Sequence, residues 1–128
     1  MTDFKTPMAR ALGLGSAHDG VHHWWSQRMT SAALVPLTIL ALFPIAGAIG
    51  APREEVLATF ADPWNAVVTI LFLAVMFKHL HQGLQVVIED YVHHPGRRIA
   101  ALTASTFFCG LFGVAGVFAV ARIAFGAA

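Results

Sequence analysis

Residues 62–96 read DPWNAVVTILFLAVMFKHLHQGLQVVIEDYVHHPG, and this stretch decides the fold. Asp62 is a favoured N-cap, Pro63 suits the first position of a helix, and Pro95 with Gly96 stops one. Between Asp62 and Glu89 the only formal charge is Lys78. A run of that length exceeds the ~20 apolar residues needed to cross a bilayer. Trp64 and Tyr91, near its two ends, are residue types of the membrane–water interface.

Working outward, residues 29–52 and 99–121 contain no charged residue at all, so each can span as well. The whole chain of 128 residues is 57% hydrophobic and 12% charged, against about 25% charged in ordinary soluble domains. The expected fold is therefore all-α, an integral membrane protein with three transmembrane helices, at about 28–50, 63–91 and 98–122. Residues 1–27, with three histidines and the pair Trp24–Trp25, read as an arm ending in an interfacial anchor; residues 28–128 form the membrane domain. Three spans leave no room for a soluble catalytic domain, a nucleotide-binding fold or a nucleic-acid-binding module.

Net charge is +1 and the basic residues are scattered without a polybasic cluster, so charge says little about partners beyond the membrane lipid that the spans imply. Sidedness carries more. Lys5, Arg10, Arg28, Arg97 and Arg98 fall on one side of the three spans, and Arg53 and Arg122 on the other. The positive-inside rule then predicts a cytoplasmic N-terminus in a multi-pass topology. No cleavable signal peptide is expected, because the first 27 residues are polar and the apolar run after them is too long for an h-region. Cys109 is the only cysteine, which excludes an internal disulfide. Gly110, Gly113 and Gly116 in the third span are small enough to let helices approach closely.

Ionisable groups at membrane depth are rare and usually functional. At ~1.5 Å per residue, His79 lies roughly 18 Å along the helix from Tyr91, well inside the hydrocarbon if Tyr91 marks the interface. Gly83, Val86 and Asp90 share its face, whereas His81 points almost the opposite way at about 100° per residue. A deep neutral imidazole with glycine one turn below leaves room for a flat cofactor, as at an axial haem ligand. The alternative is a hydrogen bond from His79 to a neighbouring helix. His79 and His81 are the only histidines within these three spans, and an i, i+2 pair cannot grip one iron from both sides. Two-histidine ligation therefore predicts a second membrane chain.

At the other end, the Tyr91 phenol beside Asp90 can hydrogen-bond a quinone carbonyl, or serve only as an interfacial anchor beside a helix end. Arg28 can pair with a haem propionate or act as a positive-inside anchor.

Two strings together, HHWWSQRMTSAALVPL at 22–37 and HLHQGLQVVIEDYVHH at 79–94, resemble the small hydrophobic membrane-anchor subunit of succinate dehydrogenase, the D subunit of the alphaproteobacterial and mitochondrial type. The likeness covers nearly the whole chain, and the S-x-x-H-R-x-T-G motif of the larger cytochrome b anchor is absent. It implies a non-autonomous enzyme subunit in a bacterial inner membrane, within a complex of flavoprotein, iron–sulfur protein and two anchors that passes electrons from succinate to ubiquinone. Haem b would lie in a two-chain anchor bundle. His79 matches the haem iron ligand, Tyr91 the quinone-contacting tyrosine, Asp90 its acidic neighbour and Arg28 the basic residue near the propionates and quinone cavity. Lys78 is unusual at its depth, and Gln85 stands where some relatives have an aromatic. Competing readings are a small transporter with Lys78, His79 and His81 along a polar path, and a cofactor-free structural anchor.

Overall fold

The computed structural model describes residues 6–12 and 19–126, and these contain helices and short connections but no strand. A short α1 (Pro7–Leu12) precedes α2 (Asp19–Ala48), α3 (Arg53–Ala61), α4 (Pro63–Tyr91) and α5 (Pro95–Ala124). Asp62 begins the central helix as the sequence predicts: its carboxylate accepts from the Asn65 backbone N–H at 3.0 Å, and Pro63 occupies the first turn. The same residue closes the preceding helix, its own N–H donating to the Ala58 carbonyl at 3.3 Å. Asn65 Nδ2 donates to the Thr59 carbonyl at 3.1 Å, tying the α3–α4 corner together. Glu54 and Glu55 sit in the first turn of α3, where a helix dipole favours negative charge. After α2 the chain reverses at Gly50, whose φ of +76° suits a residue without Cβ.

Three helices, α2, α4 and α5, are long and apolar enough to cross a membrane, with candidate spans of 29, 29 and 30 residues. At ~1.5 Å per residue each is about 44 Å long, longer than the ~30 Å hydrocarbon layer, so their ends reach the headgroups. They run up, down and up, and α4 lies in the middle, packed on α2 along one side and α5 along the other. The two outer helices do not pack on each other. The result is a layer one helix thick with its contacts made by small residues: Ala41, Ala66 and Cys109 are buried. Large side chains such as Phe43, Phe107 and Phe118 face outward. Lipid tails solvate such side chains as well as a core does, so close packing in a membrane falls to small residues.

Gly113 and Gly116 of α5 do this directly: a Cβ at Gly113 would sit 3.2 Å from Phe77 Cβ, and one at Gly116 3.3 Å from Leu73 Cδ1. Gly110, expected to belong to the same seam, faces open space. Two boundaries also shift. The first long helix starts at Asp19 rather than near residue 28, because nothing from Val21 to Gln27 breaks a helix; Trp24 and Trp25 ride on α2 itself. The third starts at Pro95 rather than near Arg98, since Pro95 fits a first turn that has no N–H to satisfy. Of the predicted arm, residues 1–5 and 13–18, Lys5 among them, lie outside the described residues.

Candidate functional site

The chemistry gathers on α4. His79 Nδ1 lies 3.0 Å from Thr30 Oγ1 of α2, and His81 Nε2 lies 3.0 Å from Thr106 Oγ1 of α5. The two imidazoles thus meet opposite neighbours, as a separation of two residues on a helix demands. This geometry counts against a transport path shared by His79 and His81. The hydrogen bond to a neighbouring helix, one of the two readings of His79, is present through Nδ1, and it leaves the other nitrogen free. Nε2 has no partner among the described residues and is not enclosed. The ring borders an open, largely apolar groove of about 450 Å³ along α2, formed with Ser31, Leu34, Val35, Thr38 and Ile39.

Gly83 has a different use from the one its spacing suggests. A Cβ there would meet Gln27 Nε2 of α2 at 3.7 Å, ordinary contact, so the glycine faces the neighbouring helix. The open space beside His79 lies along α2 instead. Leu34, Val35 and Ile39 make the lining of that groove largely apolar.

Because α2 starts early, His22 and His23 also lie on a long helix, and histidines are not confined to α4. They do not complete a ligand pair with His79. Thr30 marks the level of His79, and His23 is seven residues away, roughly 10 Å along the axis. Among the described residues no group of three or more His, Cys, Asp or Glu side chains is placed to hold a metal ion.

Below His79, an open pocket of about 710 Å³ lies between α2 and α4; Lys78, Gln82, Gln85 and Glu89 line it from α4, and His23 and Gln27 from α2. The α4 residues recur at i, i+4, i+7 and i+11, one stripe of the helix. Gln85 Nε2 donates to Glu89 Oε1 at 2.9 Å. His23 Nε2, Gln27 Oε1 and Gln82 Oε1 are buried with no hydrogen-bond partner among the described residues. Lys78, whose role the sequence leaves open, borders this pocket and also a groove of about 450 Å³ between α4 and α5. Sequence reading missed Thr30, Gln27, Gln82 and Thr106 as participants. Only Gln82 carried a signal, as a polar residue at membrane depth in the α4 stripe.

Arg28, Asp90 and Tyr91 are exposed and make no direct contact with His79. The Arg28 guanidinium lies 5.5 Å from the Trp24 ring centroid, a cation–π pair one turn apart on α2. Tyr91 is 77% exposed at the last turn of α4. Its carbonyl accepts from His93 Nδ1–H at 3.1 Å, satisfying one of the acceptors that a helix end leaves open. The phenol is thus presented outward from a defined helix terminus, with the Asp90 carboxylate beside it in sequence.

Residues 2–119 match the family described as succinate dehydrogenase/fumarate reductase transmembrane subunit. The succinate dehydrogenase hydrophobic membrane anchor subunit of Paracoccus denitrificans is 40% identical over 124 residues, 97% of this chain and 95% of that protein. The subunit of the same name from Rickettsia conorii is 30% identical over 108 residues, 84% of this chain and 86% of that one. The succinate dehydrogenase membrane anchor subunit of Reclinomonas americana is 30% identical over 86 residues, 65% of this chain and 72% of that protein. No solved structure matches.

Proposed function

Since the chain belongs to the succinate dehydrogenase/fumarate reductase transmembrane-subunit family, we propose that it is one of two anchors of a succinate:ubiquinone oxidoreductase, giving His79 to haem b and part of a wall to the ubiquinone-reduction site. In this reading it tethers the flavoprotein and iron–sulfur subunits to a bacterial inner membrane, with its N-terminus cytoplasmic. The larger cytochrome b anchor would complete the haem site. One observation carries the proposal: His79 is held to α2 through Nδ1, its Nε2 has no partner among the described residues, and the residue lines an open groove along α2.

Haem b bound there supplies a one-electron site within the membrane. The chain's own residues would orient it. Leu34, Val35 and Ile39 exclude water from the ligating face. Arg28, kept at the helix surface by Trp24, is available to a propionate or to the quinone cavity. At the cytoplasmic interface the Tyr91 hydroxyl donates a hydrogen bond to a quinone carbonyl, and Asp90 orients a nearby cation or passes on protons that quinone reduction consumes.

The test is the visible spectrum of the assembled four-subunit complex. His79→Ala removes the low-spin haem b signal or lowers its yield, and His81→Ala, on the α5 side, leaves ligation intact. Equal haem content and spectra for wild type and His79→Ala assign the ligand elsewhere.

A further inference from the structure

A threonine hydroxyl has one proton to give and two lone pairs to accept with. Thr30 Oγ1 lies 3.1 Å from the Ser26 carbonyl, 3.0 Å from the Gln27 carbonyl and 3.0 Å from His79 Nδ1. Carbonyl oxygens only accept, so the hydroxyl proton is directed to them, a bond that serine and threonine commonly make back along a helix. Had Nδ1 no proton, it and the hydroxyl oxygen would face each other lone pair to lone pair. Nδ1–H therefore donates to Thr30 Oγ1. A neutral imidazole protonated on Nδ1 carries its free lone pair on Nε2, the nitrogen with no partner among the described residues. Thr30 is 7% exposed, so water has little access to compete for the contact.

We infer that Thr30 is a positioning residue for His79: it selects the tautomer whose Nε2 can ligate a metal, locks the ring plane and strengthens that nitrogen as a donor. The inference rests on the reading of His79 as haem ligand and goes beyond it by naming the group that prepares the ligand. A ligating histidine whose other N–H is held by an acceptor is both oriented and more basic. His81 provides the contrast within the same helix. Thr106 Oγ1 donates to the Leu102 carbonyl at 2.8 Å and so accepts from His81 Nε2–H at 3.0 Å. Two histidines two residues apart are thus held in opposite tautomers by threonines of opposite neighbours. Only His79 keeps Nε2 free.

The experiment is a redox titration and low-spin electron paramagnetic resonance spectrum of haem in the assembled complex, for Thr30→Val, Thr30→Ser, Thr106→Val and His79→Ala. Thr30→Val keeps the shape and deletes the acceptor. It weakens haem retention ~10-fold or more, raises the midpoint potential because a less basic ligand favours the ferric state less, and alters the low-spin g values. Thr30→Ser restores all three to wild type, and Thr106→Val leaves them unchanged. Thr30→Val with wild-type haem content, potential and g values overturns the inference, as does a shifted potential in Thr30→Ser. If Thr30→Val does not assemble, Thr30→Ala deletes the same hydroxyl and is read the same way. An intact signal in His79→Ala overturns the ligand reading and the inference together; a signal lost there but unmoved in Thr30→Val overturns the inference alone.

Discussion

Tyr91 and Asp90 separate chemistry from anchoring, because one atom distinguishes the two roles. Tyr91→Phe keeps the ring at the interface and removes only the hydroxyl. An anchoring role then gives almost no effect. A quinone contact that tightens in the transition state is worth ~1 kcal/mol or more, a several-fold or larger fall in quinone reduction at ~1.4 kcal/mol per decade. Asp90→Asn acts in the same direction. The measurement is the ratio of quinone-reductase to artificial-acceptor activity in complex with normal flavin content; an unchanged ratio in both variants takes this chain out of the quinone site. At this scale the sequence reveals which residues are unusual for a membrane but not what they touch. That His79 and His81 diverge follows from helix periodicity. That Thr30 meets one and Thr106 the other does not, because residue pairs 49 and 25 positions apart in sequence are joined only by packing.

The helices were legible where local chemistry sets their limits and less so where it does not. Asp62 and Pro63 fix the start of α4 by a cap and a missing N–H, and His93, His94 and Pro95 stand where it ends and α5 begins. Before Arg28 no such stop exists, so α2 runs unbroken through the polar HHWWSQ. The small residues of α5 give a test at this scale. Gly113→Ala puts a methyl 3.2 Å from Phe77 Cβ and 3.3 Å from its Cγ, atoms near the backbone that cannot swing away. Overpacking of this kind costs about 1–3 kcal/mol, more than the ~1 kcal/mol that alanine gains over glycine in a helix. Gly113→Ala should therefore lower the thermal inactivation midpoint of the complex. Gly110→Ala, with nothing within 4 Å of its Cβ, should leave it unchanged or raise it. Equal midpoints would mean that the α4–α5 seam is looser than these contacts indicate.

Three helices in one layer give α4 two neighbours, α2 and α5, and leave the groove beside His79 open. In the proposed reading a second chain completes the site. Expressed alone, the chain should bind no stable six-coordinate haem, and coexpression with the larger anchor should restore it. A bis-histidine spectrum from the isolated chain would refute the two-chain reading. Sequence by itself determined the number of spans, the cap that starts α4, the opposite faces of its histidines and the membership of the family. These depend on composition, period and short motifs, all local in the chain. Only the tertiary structure decided that Gly83 receives Gln27 rather than leaving a gap, that Gly113 and Gly116 form the seam while Gly110 does not, and that Thr30 reaches His79. Those outcomes depend on the axial register and rotation of one helix against another, set by side chains far apart in sequence meeting at once, and helix periodicity carries no record of either.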